Sequence, residues 1–176
     1  MATPSELQEL AEKGKHSFEW GEYEAAIQSF ESAAQGYTSL DDQANAAEMK
    51  NNLSVALLKF GKPQEALDAV LGTEDVFARA HDKKRQGMAV GNQAAALEAL
   101  GRLDEALDAY QRSADIFAEA GEGDLRAMVL KSAAAIKFKR GKFSEAAFKM
   151  IGSLDAKQNP SIFERLLRSI LRLIQK

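Results

Sequence analysis

The sequence predicts an all-α solenoid of four helical hairpins, followed by a C-terminal capping helix. The first observation is a ten-residue pattern that recurs every 40 residues, beginning at Gly21, Gly61, Gly101 and Gly141. A fixed period held over several copies is the signature of a repeat array. The second observation is composition, because the 176 residues include only three Pro and a Pro inside a helix removes a backbone hydrogen bond.

Each recurring Gly is predicted to separate the two helices of one hairpin, since Gly enters the left-handed conformation cheaply after a helix C-terminus. Two helices approach closely only where neither carries a bulky side chain. Small residues lie seven positions before and five after each Gly, so we expect them at the helix crossings. They are Gly14, Ser54, Ala94 and Ala134, and Ala26, Ala66, Ala106 and Ala146. Larger side chains nine and sixteen positions after the Gly would fill the space to the next hairpin.

The pattern predicts a single domain over residues 1–176. The four repeats span about 5–41, 42–81, 82–121 and 122–158. Ser5 is expected to begin the first helix, and Asp41-Asp42, Asp82 and Gly123-Asp124 to begin the first helix of each later repeat. Pro63 is placed in a first helical turn, where no hydrogen bond is lost.

A two-sided helix is predicted over 160–176, beginning at Asn159-Pro160. Its apolar face comprises Ile162, Phe163, Leu166, Leu167, Ile170, Leu173 and Ile174. An open solenoid end exposes apolar surface, so we expect this helix to cap the array. Two alternatives stay open: contact with an anionic membrane, or docking into a second copy of the chain.

The columns of small, Gly, Ala and aromatic residues resemble the tetratricopeptide repeat. The 40-residue period is similar to the longer repeats of kinesin light chains and Pins-like scaffolds, and the resemblance covers residues 5–157. It implies a right-handed α-solenoid and a non-catalytic adaptor or scaffold. Such a protein would bind a peptide or helix of a partner in a concave groove lined by the first helix of each hairpin.

The groove is expected along one stripe of these first helices, at positions 13, 10, 6 and 3 before each Gly. The resemblance also implies that Asn near position 9 holds the backbone of a bound peptide, since an amide both donates and accepts. For the larger apolar members, packing between repeats is the alternative. The candidate groove residues are Lys15, Phe18, Asn51, Asn52, Val55, Leu58, Met88, Gly91, Asn92, Met128, Lys131 and Phe138.

Charge is distributed unevenly along the chain. Residues 126–176 carry twelve Lys or Arg and three acidic residues, a net charge of +9, so the net charge of −3 leaves −12 on residues 1–125. A basic end favours a partner with acidic and apolar character. It would equally suit a homo-oligomer in which the acidic body meets the basic end, or peripheral contact with a membrane. Solvated surface without a function is the remaining interpretation.

Other function classes find little support in the residues. The chain has no Cys, and His16 and His81 lie in different repeats, so neither a metal nor another cofactor is expected. No set of nucleophile, base and orienting group can be assembled, which argues against an enzyme. The acidic body argues against nucleic acid. The N-terminus lacks the features of a signal peptide, and no run of about 18 apolar residues occurs, so we expect a cytoplasmic protein.

Overall fold

The computed structural model describes residues 2–137, Ser161, Ile162, Arg165 and Ser169. The chain divides into two compact units, Met1–Ala133 and Ala134–Lys176. Over the described residues the structure contains helices and no strand, which confirms the predicted fold class. The helices are α1 (Pro4–Glu19), α2 (Tyr23–Ser39), α3 (Gln43–Lys59), α4 (Pro63–Val70), α5 (Thr73–Arg79), α6 (Lys83–Ala99), α7 (Leu103–Glu119) and α8 (Gly123–Lys137).

Within the first unit, consecutive helices pack as hairpins, and each hairpin packs on the next. α1 packs with α2, α3 with α4, and α6 with α7. Contacts between α2 and α3, and of α4 and α5 with α6, join one hairpin to its neighbour. The first helices α3 and α6 also touch each other. This is the packing of a helical repeat array, in which each repeat is covered by its neighbours.

The recurring Gly closes the first three hairpins as predicted, and Gly141 lies outside the described residues. Gly21, Gly61 and Gly101 have φ angles of +80°, +84° and +75°, which a side chain would make unfavourable. The amide after each Gly reaches back to a carbonyl five residues earlier, as Glu22 N does to Ser17 O at 2.8 Å. The turn thereby satisfies carbonyl groups at the helix end.

A second left-handed column closes the turns between repeats. Asp41, His81 and Gly121 have φ angles of 59°, 56° and 72°. The residue that follows then begins the next helix: the Asp42 carboxylate accepts from the Asn45 amide at 3.1 Å, and Asp82 caps α6 in the same way. The caps were predicted from the sequence. The left-handed column was not, because Asp and His are weaker turn signals than Gly.

The predicted start of the first helix is wrong by one residue. α1 begins at Pro4, and Thr3 rather than Ser5 is its N-cap. The Thr3 hydroxyl accepts from the Glu6 amide at 3.3 Å, and the Glu6 carboxylate accepts from the Thr3 amide at 2.7 Å. This reciprocal pair requires an acid or amide three residues after the cap, and Glu6 supplies that partner for Thr3.

The predicted helix crossings are confirmed in the first three repeats. Ala26, Ala66, Ala94 and Ala106 are completely buried. Gly14 is buried too, and a Cβ added there would lie only 2.6 Å from Cε1 of Phe30. In the fourth repeat Ala134 is exposed and Ala146 lies outside the described residues, so that crossing stays a prediction.

The second crossing contains a buried hydroxyl. Ser54 is completely buried, and within the described residues its Oγ has no hydrogen-bond partner. The equivalent residues Gly14 and Ala94 carry no polar side-chain atom. A buried hydroxyl without a partner loses its hydration without compensation.

We therefore expect Ser54→Ala to raise the free energy of unfolding by about 1 kcal/mol, measured by urea denaturation. Thr73→Val is the matched comparison, because the Thr73 hydroxyl lies 2.8 Å from the Val70 carbonyl and 3.1 Å from Oδ1 of Asn51. That variant should be less stable than the wild type. A loss of stability in Ser54→Ala would show that the hydroxyl has a stabilising partner.

The second helix of the second repeat is interrupted, which the sequence pattern did not predict. Leu71 has φ −58° and ψ 133°, and Gly72 has φ 79° and ψ −8°. These are the angles of the central residues of a type II turn, which needs Gly at its second central position. α4 therefore ends at Val70 and α5 begins at Thr73, whereas α2 and α7 run unbroken.

Part of the predicted C-terminal helix is described. Ile162, Arg165 and Ser169 are helical, and the Arg165 amide donates to the Ser161 carbonyl at 3.0 Å. The rest of 160–176, the second helix of the fourth repeat and Phe138 lie outside the described residues, so the capping role stays a prediction. None of the helices in the described part of the chain is both long enough and apolar enough to span a bilayer.

Candidate ligand groove

A pocket lies between α1 and α3, the first helices of repeats 1 and 2. Its volume is about 300 Å³. Four candidate groove residues converge on it: Lys15, Phe18, Asn52 and Val55. Glu19, Phe30 and Glu48 complete the lining.

The apolar part of this pocket is closely packed. Phe18 packs against Tyr23, with ring centroids 5.6 Å apart and planes tilted by 58°. Phe30 is buried and rests on the bare backbone of Gly14. Val55 adds a half-buried branched side chain from α3. Phe18 thus packs against Tyr23 of its own hairpin and also lines the pocket.

The charged groups of the pocket are already engaged. Lys15 Nζ donates to Glu12 Oε1 at 2.8 Å, and this hydrogen bond raises the pKa of Lys15. Glu48 Oε2 accepts from Arg85 Nη1 at 3.1 Å. Arg85 also donates from Nε to Asp82 Oδ2 at 2.7 Å. These pairs leave the pocket without an excess of positive charge.

Two Asn side chains in the groove are uncommitted. Asn52 and Asn92 are half-buried on α3 and α6, and neither side chain makes a hydrogen bond within the described part of the chain. Asn51 is different: it is 6% exposed, and its Oδ1 accepts from the Thr73 hydroxyl at 3.1 Å. Successive residues of a helix point in different directions, so Asn51 faces α5 and does not line the groove as predicted.

The later part of the stripe is more varied. Met88 and Met128 are 41% and 58% exposed, and Leu58 is half-buried. Lys131 is exposed. Gly91 was predicted to line the groove, but a side chain at this position would point towards α7 and α8. A Cβ there would contact Ser113 Oγ at 3.2 Å and Val129 Cγ1 at 3.6 Å.

A hydrogen-bonded network in repeats 3 and 4 was not found from the sequence. The Tyr110 hydroxyl donates to Glu98 Oε2 at 3.0 Å, and Ser132 lies near the same hydroxyl, where it lowers the pKa of Tyr110. Glu98, Tyr110 and Ser132 lie 80 positions after, and are therefore equivalent to, the pocket residues Phe18, Phe30 and Asn52. The position that is an open apolar pocket in repeats 1 and 2 is therefore occupied by a polar network in repeats 3 and 4.

The hairpins, their 40-residue period and the stacked first helices define a helical repeat protein. A family model described as Tetratricopeptide repeat matches residues 86–148, which supports a tetratricopeptide repeat array in that part of the chain. Such repeats generally serve as protein-interaction modules and are typically non-catalytic. No curated protein matches the chain. The closer likeness to kinesin light chains stays a prediction.

Proposed function

We propose that this chain is a non-catalytic adaptor that binds a peptide or helix of a partner protein along α1, α3 and α6. One observation carries the proposal. The pocket between α1 and α3 combines a closely packed apolar lining with the Asn52 amide, which has no hydrogen-bond partner within the described residues, and Asn92 repeats that amide one hairpin later. A cytoplasmic location belongs to the same proposal and is tested by cell fractionation.

The pocket suits an apolar anchor next to a peptide group. Burying one large apolar side chain against Phe18, Phe30 and Val55 would contribute about 1.5–3 kcal/mol. The Asn52 amide can donate to a backbone carbonyl and accept from a backbone amide. An acidic preference would not arise here, because Lys15 is already bonded to Glu12. It would come from the basic residues of 126–176.

The double variant Asn52→Ala with Asn92→Ala tests the groove. A peptide is first selected from a random library on the wild-type full chain, and its affinity is then measured by calorimetry. Each lost hydrogen bond is worth about 1 kcal/mol, so we expect at least roughly tenfold weaker binding. Gln111→Ala, which removes an exposed amide on α7, is the matched control. Equal affinity of the double variant and the wild type would remove the groove from the proposal.

The alternative function is self-assembly or peripheral membrane contact through the basic C-terminal segment. It is favoured by the net charges of +9 on residues 126–176 and −12 on residues 1–125. Contacts between exposed charges are screened by salt, so oligomers of the full chain should dissociate as salt is added. Light scattering over a salt series tests assembly, and vesicles with and without anionic lipid test membrane contact.

A further inference from the structure

A second cleft lies between α2 and α4, the second helices of repeats 1 and 2. We refer to it as the α2–α4 cleft. Its volume is about 540 Å³. The residues that matter for its chemistry are Glu31, Ala34, Lys50, Leu53, Asp68 and Leu71.

The equivalent place one repeat later is bridged by an ion pair. Arg112 Nη2 on α7 lies 2.7 Å and 2.6 Å from the two carboxylate oxygens of Glu74 on α5. The corresponding residues forty positions earlier are Gly72 and Ala34. Neither can form such a pair, so α2 and α4 lack this bridge.

The lining also differs between the two repeats. Leu53 and Leu71 of the α2–α4 cleft correspond to Gln93 and Gln111 in the next repeat, whereas the charged Glu31 and Lys50 correspond to Leu71 and Val90. Both leucines stand where the neighbouring repeat carries an amide. With the two positions of the ion pair, four residues in the cleft or next to it are apolar or small where the next repeat carries a polar residue. They are Ala34, Leu53, Leu71 and Gly72. The repeated framework itself does not require these residues.

The interruption of the second helix places Leu71 at the cleft. This residue is 56% exposed and lies in the type II turn that Gly72 permits. Covering a leucine of this kind recovers part of the roughly 1.5–3 kcal/mol that full burial of such a side chain contributes. The cleft thus offers a partly exposed apolar contact beside the smaller Ala34.

The polar side chains of the cleft favour a helical occupant. The Thr38 and Ser39 hydroxyls donate to the Ala34 and Gln35 carbonyls of their own helix, and Asp68 accepts from Gln64 within α4. Few groups are therefore left to hold an extended backbone, whereas a helix satisfies its own backbone hydrogen bonds. The lining residues of α2 lie along one face from Glu31 to Ser39, which is about 12 Å or two helical turns.

The charges of the cleft indicate which residues would flank the apolar face of a docked helix. Two carboxylates, those of Glu31 and Asp68, outnumber the single ammonium group of Lys50. We propose that the α2–α4 cleft is a second interaction site, which docks an amphipathic helix of a partner protein with a leucine-like apolar face and Lys or Arg along its edge. This site uses a different surface from the groove of α1, α3 and α6, and the two proposals are independent of each other.

Peptide selection on the wild-type full chain, with counter-selection on Leu71→Gln, tests this site. The library contains random peptides of about 15 residues, the length at which isolated helices become marginally stable. The selected sequences should carry apolar residues three and four positions apart, with Lys or Arg beside them. An empty selection, or sequences without that helical period, would overturn the proposal.

Affinities of the selected peptides for single variants then locate the contact. Leu71→Gln and Asp68→Lys should each weaken binding about tenfold or more, which corresponds to about 1.4 kcal/mol. Leu40→Gln removes another exposed leucine, 38% exposed, outside the cleft and should have no effect. Asn52→Ala should also have no effect, which separates this site from the groove. Equal binding to wild type and Leu71→Gln would place the peptide elsewhere and refute the cleft.

Discussion

Replacing Gly36 with alanine is expected to lower the free energy of unfolding by about 2 kcal/mol. A Cβ at this position would fall on the side chain of Leu7, which is 1% exposed. Overpacking of a well-packed core costs about 1–3 kcal/mol. Because Leu7 is buried, we expect a cost of about 3 kcal/mol. Alanine is otherwise favoured over glycine within a helix by roughly 1 kcal/mol, which leaves a net loss of about 2 kcal/mol.

Replacing Leu7, the residue that Gly36 contacts, tests the same packing from the other side. Leu7→Ala alone should cost about 2–5 kcal/mol through the cavity that it leaves. The double variant should cost less than the sum of the two, because the methyl group introduced by Gly36→Ala would occupy part of the vacated space. A coupling of about 0.5–3 kcal/mol is typical of residues in contact. Urea denaturation of the four proteins measures it.

Gly123→Ala is the control for this cycle. Nothing lies within 4 Å of the position that its Cβ would occupy, so its stability should change little. Strict additivity of Gly36→Ala and Leu7→Ala would contradict the close packing of these two residues. An equal loss in Gly123→Ala would assign the effect to glycine itself and not to the contact.

The third repeat shows the same packing with the large residue on the other helix. A Cβ on Gly87 would lie 2.7 Å from Cε1 of Phe117. In repeat 1 the first helix supplies the large Leu7 and the second helix the small Gly36. Each glycine is required because a large side chain of the other helix occupies the space beside it. Comparing equivalent positions of the repeats does not reveal this, because the two residues of each pair lie at different positions of the repeat.

The 40-residue period was sufficient to predict the turns and helix caps that recur at equivalent positions of the repeats. The turns at Gly21 and Gly61 and the caps at Asp42 and Asp82 follow from residues that recur in place. Gly72 belongs to no column, so the interrupted helix could not be predicted from the columns. The exposed position of Leu71, which depends on that turn, was missed with it.

The candidate groove could be predicted in part. Lys15, Phe18, Asn52 and Val55 meet in one pocket because equivalent positions of stacked first helices face the same way. Asn51 was assigned to the wrong surface, since one step along a helix was enough to turn its amide towards Thr73. The spacing of residues predicts where a stripe runs. What each side chain of the stripe does depends on the neighbours that it meets.

Ionisation of the buried Tyr110 is expected to make the stability of the chain depend on pH. Burial, reinforced by the hydrogen bond to Glu98, raises the pKa of Tyr110 from 10.0 to about 12. The unfolded chain therefore loses this proton at a lower pH than the folded chain. The stabilisation is complete below about pH 10 and is lost as the pH rises to about 12. Two pKa units correspond to about 2.7 kcal/mol.

Tyr110→Phe should remove this pH dependence while keeping the ring. We expect the free energy of unfolding of the wild type to fall more steeply than that of the variant between about pH 10 and about pH 12. Other groups titrate in the same range, so the difference between the two proteins is the quantity that counts. Tyr23→Phe, a half-buried tyrosine outside the network, is the matched control.

The result also bears on where a ligand would bind. A steeper fall for the wild type than for Tyr110→Phe would show that the Tyr110 hydroxyl is buried and neutral in the folded chain, where it donates to Glu98 of α6. The open apolar pocket would then be confined to the N-terminal repeats, where Phe18 and Phe30 occupy the equivalent positions. Parallel curves would contradict the buried, neutral Tyr110 hydroxyl and return this part of the groove to the candidates for ligand contact.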